Sequence, residues 1–296
     1  RNRLNLTIKA NKANVQVRRI VFSGELAPGL EVDSGGEMFL VKGEQITLCA
    51  GAVGSPQLLM LSGIGPRYRH LAQKGQVELS VSPYTHAMLP LLIDLGAARE
   101  AMPDIALPAH SHYPEGEARA AWQLQQARTV FQRFFGVDPS GCWASEGGLS
   151  QATLGLLDQH QFRWTASGDS VVHNSLNLAR QDNPDLPDAG IHQPYTFGES
   201  DTAVFFRDDG LSDLIGFTYA DWHARDAVGD LVHHMENIAG QAKGKTKPVI
   251  SVIMDGENAW EYYPENGFHF LDELYRVLAN HPRLRLTTYA DLVANP

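Results

Sequence analysis

Two acidic residues stand where chain segments built of alternating strands and helices usually do chemistry. Glu146 directly follows the stretch GCWAS, and Asp255 closes the stretch PVISVIMD, which is apolar at nearly every position, as a strand covered on both faces would be. If both are parallel strands of βα units, their C-terminal ends converge on one mouth, and the two carboxylates face a common cleft. A retaining glycosidase needs that arrangement: one carboxylate attacks the anomeric carbon while a second, about 5 to 5.5 Å away, protonates the leaving oxygen. For either acid alone, a solvated or helix-capping carboxylate is the plainer reading.

Other side chains cluster near the same predicted strand ends. Asp169, Arg207 and Asp208 are placed to hold sugar hydroxyls or to orient the acids. Trp143, Trp164, Trp222, Trp260 and Tyr262 offer flat apolar faces of the kind that stack on pyranose rings, with core packing as the alternative for each. Trp143 fits either place; Trp222 and Trp260, in polar company, lean toward the cleft. Histidines are plentiful, but His110 with His112 and His233 with His234 lack zinc spacing and no HExxH occurs, so no metal is assigned. A GxSxG nucleophile turn is also missing, which leaves serine hydrolase chemistry unsupported.

The elements that must carry these residues change character along the chain. Residues 4 to 49 read as short strands (LNLTIKA, NVQVRRIVF, GLEVDS, EMFLVK, QITLCA) punctuated by Gly and Asn, a small β-meander. A helix then starts at Ser55-Pro56. From VELSV onward, strands alternate with helices: EARAAWQLQQARTVFQRFF repeats Ala120, Leu124, Ala127, Phe131 and Phe134 at helical spacing. LSQATLGLLDQH offers Ser150 as N-cap. Further strands are expected at FRWTA and AVFFRD, and further helices at DWHARDAVGDLVHHMENIAG and GFHFLDELYRVLANH. Repeated βα units imply an α/β fold with a mainly parallel sheet, open or barrel-like. Residues 177 to 201 read as one long irregular loop.

Once the motifs are laid out, two resemblances emerge. The run LCAGAVGSPQLLMLSGIG resembles the second signature of the glucose-methanol-choline oxidoreductases, through Gly51, Ser55, Pro56, Leu58, Leu59, Ser62, Gly63 and Gly65. In that family Val15 and Ala50, Gly51 and Ala52 would line the adenine end of FAD. The phosphate-binding GxGxxG turn is absent, so no flavin is expected to be held and no cofactor is assigned. The stretches SPYTHAMLPLL, GCWASEGGLS, FRWTASGD, FFRDDGLSDLIGFTYADWHARDA and VISVIMDGENAWEYYPENG resemble glycoside hydrolase family 57. This likeness implies an incomplete (β/α)7-type barrel over residues 75–296, preceded by a flavoprotein fragment over 1–74. It also implies Glu146 as nucleophile, Asp255 as acid/base and His86 as a sugar contact; beside a mostly apolar strand and near another anion, Asp255 is expected to have its pKa raised. The family's first strand, with its His-Gln-Pro motif, would lie before residue 75, and its later helical region beyond Pro296. The His-Gln-Pro at His192 falls in a loop and reads as coincidence. An open edge and an exposed apolar face are therefore expected, and with them low stability and aggregation.

Composition narrows the partners. A net charge of −10 argues against nucleic acid, and no apolar run reaches the length of a membrane helix, so neither nucleic acid nor membrane is expected as partner. An α-glucan or maltooligosaccharide is the expected substrate. The charge splits as +5 over residues 1–74 and −15 over 75–296, a change of sign that a junction between two units would produce. Cys49 and Cys142 form no framework and suggest buried thiols in a reducing, cytoplasmic setting. The chain opens on Arg1 and reads like the interior of something longer. An FAD-dependent alcohol oxidoreductase and a catalytically silent fusion are the alternative readings.

Overall fold

The computed structural model describes residues 15–23, 26–34, 37–42, 64–110, 112–186, 190–198, 200–241, 247–255 and 260–295. They fall into two compact units, residues 1–77 with 133–137, and residues 78–132 with 138–296.

In the first unit, strands β1 (Val15–Ser23), β2 (Leu26–Ser34) and β3 (Glu37–Lys42) form an antiparallel meander in that order. Register shifts between Val17 and Arg19 and between Val21 and Ser23 bend β1. Helix α1 (Ile64–Gln73) follows. Val15 opens β1. Ala50, Gly51 and Ala52, and almost all of the helix expected from Ser55, lie outside the described residues.

The second unit is built on parallel strands β4 (Gly141–Trp143), β5 (Trp164–Ser167) and β6 (Ala203–Phe206). A single parallel bridge from Val81 to Cys142 adds a segment beside β4, and another from Arg207 to Ser251 adds one beside β6. Five extended segments thus run side by side in one direction. The two outer ones are shorter partners than the full strands expected at 77–81 and 248–255. For the latter the cause is visible: Tyr195 pairs antiparallel with Val204 while the His192 carbonyl accepts from the Val249 N–H. The loop is wedged between β6 and its neighbour at the lower end, so the two meet directly only at their upper ends.

Alternation in the strands assigns the two faces of the sheet. Cys142 packs in one cluster against helices α2 (Leu89–Ile93), α4 (Gly116–Phe135) and α5 (Gln151–Gln159), through Leu89, Ala120, Leu124, Leu156 and Leu157. Between α2 and α4 lies the short α3 (Ala98–Ala101). Val204 and Phe206 pack with Leu154 of α5 and Val172 of α6 (Asp169–Asp182). These are the helix-covered faces of βα units. The stripe expected on α4 is present, with Ala120, Leu124, Ala127 and Phe131 buried; each fully buried leucine contributes roughly 1.5–3 kcal/mol. Ser150 caps α5, its hydroxyl accepting from the Thr153 N–H at 3.2 Å. Helices α7 (Asp209–Asp213), α8 (Ala224–Gln241) and α9 (Phe268–Ala279) bring Leu211, Val228, Leu231, Phe270 and Leu278 into a third cluster, against Ile250 and Val252.

The opposite face carries Trp143, Trp164, Ala166, Ala203 and Phe205, the side that would look into a barrel. It is not bare. Helix α10 (Tyr289–Ala294) lies on it through Tyr289, Leu292 and Val293. The Tyr289 ring stacks on Phe205 at 4.2 Å and leans on Trp164 at 4.6 Å. The exposed apolar face expected from sequence is therefore covered by the chain's own last helix. The irregular loop is also shorter than expected at its start: α6 continues to Asp182 because Val171, Val172 and Leu176 pack against the sheet despite the polar run around them.

Candidate active site

Each parallel segment ends at a charged or titratable residue. His86 follows the Val81 segment, Glu146 follows β4, Asp169 follows β5, Arg207, Asp208 and Asp209 follow β6, and Asp255 follows the Ser251 segment. Glu146 and Asp255 thus sit at the same end of one sheet, three strand steps apart. That is about 14 Å along a flat sheet at about 4.8 Å per step, and a shorter chord where the sheet curves.

The Glu146 turn is built with care. Glu146 has φ 57° and ψ 20°, in the left-handed region, and Gly147 follows at φ 67°. A non-glycine residue there costs of order 1–2 kcal/mol, which the surroundings must offset. They do so through Gly147 N–H to Ala144 O at 2.8 Å and Gly148 N–H to Ser145 O at 3.0 Å. The hydroxyl of buried Ser167, at the end of β5, adds a bond to Gly147 O at 2.6 Å. The Glu146 side chain is left exposed, at 68%.

His86, likewise left-handed at φ 57°, brings Nδ1 to 3.8 Å from Glu146 Oε1. Its loop is fixed by His86 N–H to Pro83 O at 2.7 Å and by the amide oxygen of buried Gln123 on α4, which accepts from both the Thr85 N–H and hydroxyl. Two strained residues from neighbouring segments therefore face each other across the mouth. The Asp255 end is exposed and is held through Ile253, whose carbonyl accepts from Arg207 Nε at 2.9 Å and whose N–H donates to Ser212 Oγ at 3.2 Å.

Between them lies a carboxyl pair. Burial pushes the Asp169 carboxyl upward, as do its hydrogen bond with Asp209 and that group's charge; His173 and the Ser170 N–H only partly oppose this.

Three residues read as sugar ligands have other work. Trp164 is 5% exposed, at the N-terminal end of β5, and gives its indole N–H to Glu78 at 2.7 Å. It is a core residue because Gly141 leaves room for it; a Cβ there would sit 1.8 Å from the ring. Asp208 has no oxygen to spare. One accepts from the Leu211 N–H at 2.9 Å as the cap of α7, and the other lies 2.8 Å from His192 Nε2. Burial works to raise its pKa, but the bonds from His192 and Leu211 and the nearby Arg207 charge outweigh it and bring the carboxyl below its usual range. Arg207 spends its guanidinium on Asp209, on Asp213 and on the Ile253 carbonyl.

The other aromatics divide. Trp143 ends β4 half-buried, with its ring edge beside Gly147. Trp260 is half-buried against Tyr263, Phe270 and Gly267. Trp222 and Tyr262 are exposed. Among the described residues, no three His, Cys, Asp or Glu side chains gather as a metal site would need. Sequence reasoning missed Ser167, Gln123 and His192. Ser167 stood just past the expected strand FRWTA, Gln123 lay inside a helix read by its apolar stripe, and His192 stood in a string taken for chance.

With the geometry in place, comparison with known proteins is decisive for family. The model of glycosyl hydrolase family 57 matches residues 61–295, most of the chain. The chain belongs to this family. Among solved structures, family 57 likeness extends to an α-amylase from Thermotoga maritima, with TM-score 0.58, 17% identity, 82% of this chain and 54% of that one. A 4-α-glucanotransferase from Thermococcus litoralis aligns with TM-score 0.55 and 18% identity, over 82% of this chain and 32% of that one. At such identities the likeness shows the fold, an incomplete (β/α) barrel. Separately, the GMC oxidoreductase model matches residues 2–81. A GMC-type oxidoreductase of Mycobacterium tuberculosis is 54% identical over 56 residues, 19% of this chain and 10% of that protein. An oxygen-dependent choline dehydrogenase of Photobacterium profundum is 42% identical over 66 residues, 22% of this chain and 11% of that protein. The chain thus spans about a tenth of these curated relatives and about half of the amylase.

Proposed function

We propose that this family 57 chain is a retaining glycoside hydrolase or glucanotransferase acting on α-glucans, with Glu146 as nucleophile and Asp255 as acid/base. The observation that carries the reading is the strained Glu146 turn, held by Ser167 and faced by His86, at the C-terminal mouth of a parallel sheet. Backbone strain held by surrounding bonds concentrates at functional sites. The solved neighbours named as an amylase and a glucanotransferase support the same class of substrate.

The chemistry follows from the residue types. The Glu146 carboxylate attacks the anomeric carbon as the Asp255 carboxyl protonates the departing oxygen, leaving a glycosyl ester on Glu146. Asp255, now a carboxylate, takes a proton from water or from a sugar hydroxyl, which attacks from the face the leaving group vacated, so the anomeric configuration is retained. Water gives hydrolysis and a sugar hydroxyl gives transfer. His86 is placed to hold either the nucleophile or a hydroxyl next to it.

Maltoheptaose with the full chain tests this. Release or transfer of sugar is expected, and Glu146→Gln should lower the rate by about a thousandfold or more, about 4 kcal/mol of lost transition-state stabilisation. Undiminished turnover in that variant would remove the assignment.

The match of residues 2–81 to GMC oxidoreductases favours a second reading, an FAD-dependent oxidoreductase. A flavin absorbance band in the purified chain would support it; lacking a GxGxxG turn, the chain should show none. A cytoplasmic setting fits the thiol of Cys142, which burial pushes up to about 12, leaving it unreactive.

A further inference from the structure

A cavity of about 430 Å³ opens between the Tyr219–Arg225 turn and the beginning of α9. Its floor is aromatic: Tyr219, Tyr263 and Phe270 are all buried. The two tyrosine hydroxyls are already committed, Tyr219 donating to Asp230 at 2.6 Å and Tyr263 to the Ile215 carbonyl at 2.6 Å, so these buried rings back the cavity and the accessible aromatic surface is that of Trp222. Trp222 forms a wall, 44% exposed and held edge-on against Tyr219 at 5.3 Å.

The rim is polar and of both signs, carrying His223, Arg225, His269, Asp272 and Glu273. A hydrogen bond from Arg276 holds the Glu273 carboxyl below its usual range, with the Arg225 and His223 charges adding to the effect. Arg276 engages both its oxygens, which leaves Arg225, His269 and Asp272 as the rim groups open to a ligand's hydroxyls. A strongly charged ligand of either sign would meet its own charge on this rim. A neutral ring with one apolar face and an edge of hydroxyls would not. The volume falls within the range of small-molecule sites, about 300–1,000 Å³. Trp260, five residues beyond Asp255 in the sequence, packs on two of the lining rings, Tyr263 at 5.3 Å and Phe270 at 6.0 Å.

We propose that this cavity is a sugar-binding site additional to the reacting centre, taking a pyranose unit of a neutral α-glucan by stacking on Trp222 and hydrogen bonding to the rim. The proposal rests on the α-glucan reading above. It places a second hold on a long substrate, outside the acids at the strand ends.

The test is calorimetric titration of maltoheptaose into the full chain carrying Glu146→Gln, so that binding is read without turnover. Adding Trp222→Ala should weaken binding about tenfold, as should His269→Ala, while Trp222→Phe should keep most of it. Trp222 and His269 are both exposed, and an unchanged melting transition verifies that the variants fold. If the Glu146→Gln chain binds maltoheptaose and neither alanine variant weakens it, the cavity is not a sugar site, although the glucan reading stands. If maltoheptaose does not bind at all, the cavity proposal fails, and the glucan reading is then judged separately by turnover in the unsubstituted chain.

Discussion

At the scale of single residues, the site depends on groups that never touch substrate. Ser167 is a positioning residue: its hydroxyl fixes the carbonyl of Gly147 and so the left-handed turn that presents Glu146. Ser167→Ala should lower kcat on maltooligosaccharides about tenfold with little change in KM, with rates referred to the folded fraction well below the melting transition so that a loss of stability does not mimic the effect, while Ser167→Thr should restore part of it. The pairing of Asp208 with His192 makes a second prediction, one about pH. The folded-state pKa of Asp208 is lowered, so the stabilisation it gives is present above the unfolded value, about 3.9, and is lost as pH falls through the folded one. The melting temperature of the unsubstituted chain should therefore exceed that of Asp208→Asn at pH 6, and the gap should close below about pH 4. A gap that persists undiminished at pH 3 would show that the ionised pair is not its source.

At the scale of elements, a few close approaches decide whether the sheet forms. Gly141 lies under the Trp164 indole, and the added Cβ of Gly141→Ala would overlap the ring. Chemical denaturation should find that variant destabilised by about 1–3 kcal/mol, with little change in the denaturant slope. Much of this level was legible in the sequence. The α4 stripe from Ala120 to Phe131, the Ser150 cap and the strands β4, β5 and β6 all follow from apolar spacing and capping chemistry that hold locally. What was not legible depends on partners far along the chain. Trp164 looks like a cleft aromatic until Glu78, 86 residues away, accepts its indole N–H. Asp208 looks like a free acid until His192 and Leu211 occupy both its oxygens. The strand at 248–255 reads as a full ladder partner because nothing in its own composition announces that the His192–Tyr195 loop pairs there first.

At the scale of the whole molecule, the last helix and the first segment of the barrel-like unit are tied together. The two oxygens of Glu78 accept from the Trp164 indole and from the Ala290 N–H at 2.9 Å, and α10 lies over the inner face of the sheet. An apolar face that the sequence left open is thereby closed. The central claim about this molecule is that sugar is transferred through an ester on Glu146, with Asp255 as its partner across the mouth. The most direct measurement is to incubate the full chain with 5-fluoro-α-glucosyl fluoride, which forms such an ester but releases it slowly, and to locate the added glucosyl mass by peptide mass spectrometry. The expected result is one label, on the peptide holding Glu146, absent from Glu146→Gln and, because fluoride departs without acid assistance while water needs the base, formed readily but released more slowly in Asp255→Asn. A label on any other residue, or none in a chain that still turns over maltoheptaose, would contradict it.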